Sequence, residues 1–452
     1  MNSAIFKYCA LISLVMSFVI EKEKRLPIIL HVDVAVVGGG PAGIAAALLS
    51  ARNGAKTVLI ERYGYLGGMI TAGLCPTFMG VDRRVIGGTF TEILDTLHSK
   101  GAISDESFFT QFDPEVFKFF VQDLMERNSV ELLLHTWVSD VIVEDGVVEG
   151  VIVESKSGRK AVRARVVVDA SGDADVAAKA GVPFSSGGAP EQTLTLLFRI
   201  GGVDKNTLVS SGNNILETAI HPPSPPNPNI YKIPKDIVSE ARARGELFLS
   251  HEDITLIFLP LPGVVLINAG HVSANGTSVE DLTKAELQSR KQAWSIFNFL
   301  KKNVPGFESA FMLDTAAMIG VRESRRIVGE YLLTKEDIMA GRKFEDAIAQ
   351  NIMPIDIHGP GEEHTWIPLK KPYDIPYRCL LPKKVENLLV AGRCISTDHF
   401  AQASVRSMPC CFATGDAAGV AAALSVKNGL SPRKIDLNLL RETLLKHGAK
   451  IA

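Results

Sequence analysis

A chain of 452 residues is longer than the roughly 250–300 residues that one hydrophobic core organises, so at least two structural units are expected. Its net charge of -2, with no dense Lys/Arg run, excludes a nucleic-acid partner. The six cysteines, Cys9, Cys75, Cys379, Cys394, Cys410 and Cys411, show no C-x-x-C pair and no metal-ligand spacing; no disulfide framework and no metal is assigned, and a reducing, cytoplasmic setting fits.

Lys7 and the apolar run at residues 8–20 imitate a signal peptide, yet no A-x-A-like cleavage site comes after it, and the run is shorter than the roughly 18–20 residues of a membrane span. Residues 1–27 are read as an extension, with Met16 a candidate start and export or anchoring the alternative. From Val32 the chain reads strand, glycine turn, helix, strand: VDVAVV, GGGPAG, an Ala/Leu-rich helix ending near Asn53-Gly54, and TVLIE. The turn holds Gly38, Gly40 and Gly43, with Pro41 and Ala42 between the last two. Gly38 permits the turn, Gly40 lets backbone N–H groups approach a pyrophosphate, and Gly43 lets the helix pack on the sheet. The helix N-terminus adds partial positive charge. Glu61, eighteen residues beyond Gly43, stands where a carboxylate accepts ribose hydroxyls and disfavours a 2'-phosphate. The pattern points to a dinucleotide without saying which.

The next segment favours a flavin. Arg62 leads into YGYLGGMITAGL, where Gly67-Gly68 and Met69 offer a second close backbone approach that a plain nicotinamide domain does not need. Helices are expected at 89–100 and 114–128, then successive strands in VELLLHTWVSDVIVEDGVVEGVIVES with a turn at Asp145-Gly146; Val138 within them is assigned to the cofactor. VVVDASGDADVA ends a further strand, and Ala170, Ser171, Gly172 and Asp173 form a turn of the kind flavoproteins place against the cofactor.

The composition changes near Pro190. A Pro-rich loop, HPPSPPNPN, precedes the strands ITLIFLPL and VVLINAG and a helix from Ser278 to before NVPGFE. In GVRESRRIVGEYLLTKED, Arg322 and Arg326 share a face whether the segment is helix or strand, and two guanidinium groups can clamp a carboxylate; the competing reading pairs them with Glu323 or Glu330. Thr334 and Asp337 form a capping box, which favours extended structure before it. His358 in IDIHGPGEEH, or Tyr377 beside Arg378 in IPYRC, suits proton transfer next to a hydride acceptor, with structural roles competing. NLLVAGRCIS is a buried strand ending in Gly392 and Arg393. His399 and Arg406 lie between it and a small-residue helix that has Pro409 near its first turn, and that helix N-terminus would stabilise negative charge on a reduced flavin. Cys75, Cys394 and Cys410 read as buried small residues.

Taken together, VDVAVVGGGPAGIAAA, ERYGYLGGMITAGL, VVDASGDADVAAKAGVPF, IGVRESRRIVGEYLLT, DIPYRCLLP and NLLVAGRCIS with ASVRSMPCCFATGDAAGVAAAL resemble the bacterial FAD-dependent oxidoreductase family related to the flavin-binding subunit of heterodisulfide reductase, over residues 26–430. The resemblance implies non-covalent FAD and an α/β fold. A Rossmann-like FAD-binding domain of the glutathione-reductase or succinate-dehydrogenase style, residues 28–190 and 373–452, would carry an inserted α+β substrate or cap domain at 191–372. The chain lacks the cysteine-rich cluster motifs of that heterodisulfide reductase protein and has Asp416 where members often have Gln. The expected activity is hydride transfer between a small, anionic organic substrate and flavin N5, Arg322 and Arg326 orienting the anion and His358 or His399 handling the proton. No membrane association is expected. Two readings compete: an NAD-linked dehydrogenase, which the glycine doublet and DASGD turn oppose, and a flavoprotein that relays electrons to a partner protein.

Overall fold

The strand Ile28–Val37 lies inside a seven-stranded sheet in the computed structural model, which describes residues 19, 21–186, 192–212, 216–218, 226–249, 251–361 and 364–451. The apolar run at 8–20, Val19 excepted, and residues 221–225 of the Pro-rich loop fall outside the described residues. The sheet runs in the order Glu131–Leu133, Thr57–Ile60, Ile28–Val37, Lys160–Asp169, Val147–Glu154, Trp137–Glu144, and Leu388–Val390 pairs with the far end of Lys160–Asp169. The first four strands and Leu388–Val390 are parallel, and Val34, Ala35, Val36, Val166, Val167 and Val168 are buried, as strands covered on both faces require. Asp145 and Gly146 turn the antiparallel pair with φ of 49° and 78°, the left-handed geometry of a tight hairpin.

Helix Pro41–Arg52 packs on helix Met408–Asn428, and their closeness depends on missing side chains. A Cβ at Gly415 would lie 2.2 Å from the Ala42 carbonyl oxygen, and one at Gly419 2.3 Å from that of Ala46. Met408–Asn428 is long and apolar enough to cross a membrane, but 89% of its apolar window is buried in the protein, which accounts for the composition as core packing.

A second, antiparallel sheet runs Glu217–Thr218, Ile230–Lys232, Ile254–Phe258, Val265–Ala269, Phe198–Gly201, Phe311–Thr315. Its core joins Phe198, Ile254 and Ile267 to Ile296 and Leu300 of helix Val279–Asn303, which Ser278 caps as the sequence implies. Residues after this sheet turn back: Ile327, Leu333, Ile348, Ile355 and Leu369 pack into the core of the first sheet. The capping box of Thr334 and Asp337 forms in both directions, and Arg325–Ile327 before it is extended.

Candidate active site

A cleft opens at the carboxyl ends of the parallel strands, past Val37, Ile60, Asp169 and Val390, where open α/β sheets bind ligands. Gly38, Gly40, Pro41, Ala42, Glu61, Arg62, Gly68, Met69, Val138, Ala170, Ser171, Gly172, Asp173, Gly392 and Arg393 line it, together with Arg406. Gly43 and Gly67 do not. Gly43 lies beneath the turn, where a Cβ would meet the Gly38 carbonyl oxygen at 1.7 Å; Gly67 donates its N–H to the Gly39 carbonyl at 2.7 Å and so holds the doublet loop against the turn. Both glycines shape the site without facing it.

Glu61 is buried, and its carboxylate accepts the Gly39 N–H at 2.6 Å and the Tyr63 N–H at 2.9 Å. It therefore orders the turn as well as bordering the cleft. Asp169, fully buried, accepts from the Ser171 N–H at 3.0 Å, the Ser171 hydroxyl at 2.6 Å and the Ala177 N–H at 2.9 Å, which fixes the Ala170–Asp173 turn. Asp173 is held in turn by Arg393 at 2.6 Å and the Ser324 hydroxyl at 2.6 Å. Asp175, a lining residue the sequence reasoning missed, pairs with Arg325; burial, with Asp173 beside it, pushes its carboxyl up to about 6. Thr136, Trp137, Met318, Met408 and Cys411 also line the cleft, and only the strand position of Trp137, next to Val138, could have signalled any of them.

Arg406 leads from the cleft into a second cluster. Its guanidinium donates to the Asp356 carbonyl at 2.7 Å and to Asp356 Oδ2 at 2.9 Å. The hairpin Ile355–His358 with His364–Ile367 pairs His358 with His364, and Asp356, two residues before His358, shares their face. Nε2 of His358 and of His364 lie 3.1 and 3.0 Å from Asp356 Oδ1. The rings continue as a column: His364 stacks on His358 at 4.5 Å, His358 on His271 at 5.2 Å, and His271 meets His251 edge-on at 5.0 Å. His271 Nδ1 contacts the Thr195 hydroxyl at 3.0 Å, and Arg322 donates to that hydroxyl and to the Thr193 carbonyl, both at 2.7 Å. Burial, outweighing the Asp356 carboxylate, draws His358 down to about 4; it also takes His271 well below its ordinary value, with Arg322 adding to the effect. Against its own burial, Asp356 is held well below the usual carboxylate range by His358, His364 and Arg406.

Three expectations are corrected. Arg326 does not converge with Arg322: it is buried against Glu323 and donates to the Thr397 carbonyl at 3.1 Å, the internal pairing with Glu323 that competed in the sequence. Tyr377 does not border the cleft, because its hydroxyl is buried and donates to the Pro432 carbonyl at 2.9 Å, while Arg378 pairs with Asp346. His399 lies outside the cleft lining, with Nδ1 2.9 Å from the Glu323 carboxylate; although burial pushes Glu323 up, His399 and Arg326 hold it below the usual range. His358 does reach the cluster that Arg406 joins to the cleft. Cys394 and Cys410 are buried, free thiols raised well above their ordinary values by burial, which fits their reading as small core residues.

The model of the FAD dependent oxidoreductase family matches residues 33–444. The chain belongs to that family. Among individual proteins, a thiamine thiazole synthase from Methanococcus aeolicus is 31% identical over 157 residues, 33% of this chain and 58% of that protein, and a cinnamate reductase from Clostridium sporogenes is 49% identical over 53 residues, 12% of this chain and 8% of that protein. The chain thus spans little more than half the length of the thiamine thiazole synthase it matches. A solved geranylgeranyl bacteriochlorophyll reductase-like protein from Thermoplasma acidophilum aligns over 92% of this chain and 82% of its own at 16% identity and a TM-score of 0.46.

As an FAD-dependent oxidoreductase the protein takes FAD, and its own groups fit that cofactor. Helix Pro41–Arg52 begins at Gly40 with no side-chain cap, so its first N–H groups remain for a pyrophosphate. Helix Met408–Asn428 likewise begins without a side-chain cap, and the Ser407 hydroxyl beside it is buried with no hydrogen-bond partner among the described residues. Such orphaned donors call for a polar ligand at this place. Asp356, His358 and His364 offer ligand atoms within 4.8 Å of one another, a metal-ligating set. Arg406 on the same carboxylate and Arg322 beside the histidines make the position costly for a dication.

Proposed function

We propose that the protein is an oxidoreductase that moves a hydride between a small organic substrate and FAD N5, with the substrate held between the cleft and the histidine column. The observation that carries this reading is Arg406, which lines the cleft and binds Asp356 of the cluster, so that cofactor site and cluster adjoin. FAD supplies the hydride acceptor or donor. The chain's own residues do the rest. Asp356 fixes the ring of His358 through Nε2, leaving Nδ1 as the nitrogen that exchanges a proton with the substrate. Because His358 is drawn down to about 4, it is neutral near pH 7 and able to accept that proton. The buried ring of His271 and the half-buried Arg322 around it restrict water and strengthen each polar contact.

We also infer kinship with the flavin-binding subunit of heterodisulfide reductase, supported by the GVRESRR and NLLVAGRCIS segments; a cap domain with a core of its own, which runs from Phe198 to Ala310 and so ends earlier than the expected bound of 372, because Ile327, Leu333, Ile348, Ile355 and Leu369 join the core of the flavin-binding domain; and a cytoplasmic setting, supported by the free buried thiols. Anaerobic mixing of the purified protein with panels of alcohols, amines, hydroxy acids and enoates tests the activity. Bleaching of the flavin band by at least one class supports it. Flavin that dithionite reduces but no small molecule does, with a protein partner that restores turnover, would replace it by the electron-relay reading.

A further inference from the structure

We propose that the cluster formed by Arg322, Arg406 and the histidine column is the recognition site for an organic monocarboxylate, a substrate class that rests on the hydride-transfer reading and makes it specific. Charge points to this class. Arg322 is half-buried, and its hydrogen bonds go to two neutral oxygens, the Thr193 carbonyl and the Thr195 hydroxyl. No carboxylate lies within ion-pair distance of it among the described residues. The acid in its electrostatic reach is Asp356, and that carboxylate is already engaged by Arg406 and by both His358 and His364. Two guanidinium groups therefore face one carboxylate.

Drawing a cation even partly out of water without a counter-charge is costly unless it is paired or loses its proton. Arg322 does not take the second route: burial, with Arg406 beside it, draws it down only to about 10, so it remains a cation at neutral pH. Among the described residues, two guanidinium groups against Asp356 therefore leave the cluster a net charge of about +1, and one carboxylate neutralises it. A metal dication would deepen the imbalance, and a phosphate dianion would overshoot it. Arg406 Nε is buried, unpartnered among the described residues, and on the cleft wall, where it offers a donor toward the incoming acid. Arg326, which the sequence places on the same face, is neutralised by Glu323 and takes no part.

The test uses the purified full chain and two readouts, thermal shift, which needs no flavin, and perturbation of the flavin band. The probes are acetate, pyruvate and benzoate, the neutral acetamide and benzamide, inorganic phosphate, and zinc ion. The proposal expects saturable stabilisation and flavin perturbation by at least one carboxylate and none by the amides. Affinity should fall at least about tenfold in Arg322→Met and less in Arg322→Lys, which keeps the charge. Arg322→Met should also melt no lower than the parent without ligand, since it removes a half-buried cation that no carboxylate among the described residues pairs with. Amides that act as strongly as acids, phosphate or zinc that acts in their place, or an Arg322→Met variant with unchanged carboxylate affinity would overturn it. A protein that takes up no added FAD yet still shows the carboxylate shift would refute the hydride-transfer reading and leave the anion site standing.

Discussion

Arg322 and Arg326 are four residues apart and have opposite fates. The second lies 5% exposed against a Glu323 side chain at 0%, so it is a structural ion pair. Removing one partner of such a pair leaves the other charge stranded, a cost of about 3–5 kcal/mol; His399 beside Glu323 places the expected loss at the lower end of that range. Arg326→Met should therefore lower the urea midpoint by an amount equivalent to about 3 kcal/mol, with the KM of the folded fraction unchanged; a normal midpoint with a raised KM would return Arg326 to the site. His358 makes a different kind of prediction. Its depressed value places the acid limb of kcat/KM near pH 4 instead of near the 6.5 of an ordinary imidazole, because protonation removes the acceptor. A pH profile of the parent, and its loss in His358→Gln, checks both the role and the shift.

At the scale of elements, the central device is the helix pair Pro41–Arg52 and Met408–Asn428. Gly419→Ala would force a methyl to within 2.3 Å of the Ala46 carbonyl oxygen, and because Gly40 and Pro41 begin the same helix, the displacement reaches the glycine turn. The variant should lose at least about 1–3 kcal/mol of stability and retain less flavin on gel filtration. Asp416, in the same helix, accepts the Thr89 N–H at 3.0 Å and the Thr89 hydroxyl at 2.5 Å, where it caps the helix Thr89–Ser99. Burial raises its carboxyl from 3.8 to about 7, so the folded protein keeps a proton that the unfolded chain releases. Its contribution to stability is full below about pH 4, declines as pH rises toward 7, and is level above that. Asp416→Asn should flatten the melting temperature across that window; an unchanged slope would show that another group sets it.

Over the whole molecule, local signals were legible and distant ones were not. The glycine turn, Glu61, the doublet loop and the Ala170–Asp173 turn are each written within a few neighbouring residues, and all four border one cleft. The capping box and the Asp145-Gly146 turn are local for the same reason. The histidine column is not: His251 lies just before the strand Ile254–Phe258, His271 in a separate two-stranded ladder with Leu194–Thr195, and His358 and His364 in a hairpin that packs on the first sheet, and no spacing in the chain announces their meeting. Asp356 was nearer to hand, since strand alternation puts it on the face of His358. Tyr377 misled because its position before the returning strand is shared by any residue of that turn, and its hydroxyl direction is set by Pro432, fifty-five residues further on.

The proposed chemistry depends most on the cleft holding FAD. The visible absorption spectrum of the purified protein, taken before and after heat precipitation, tests this directly. A two-band flavin spectrum, with the colour released to the supernatant and the released compound identified as FAD by chromatography, is the predicted result. A colourless protein that takes up no added FAD would contradict it.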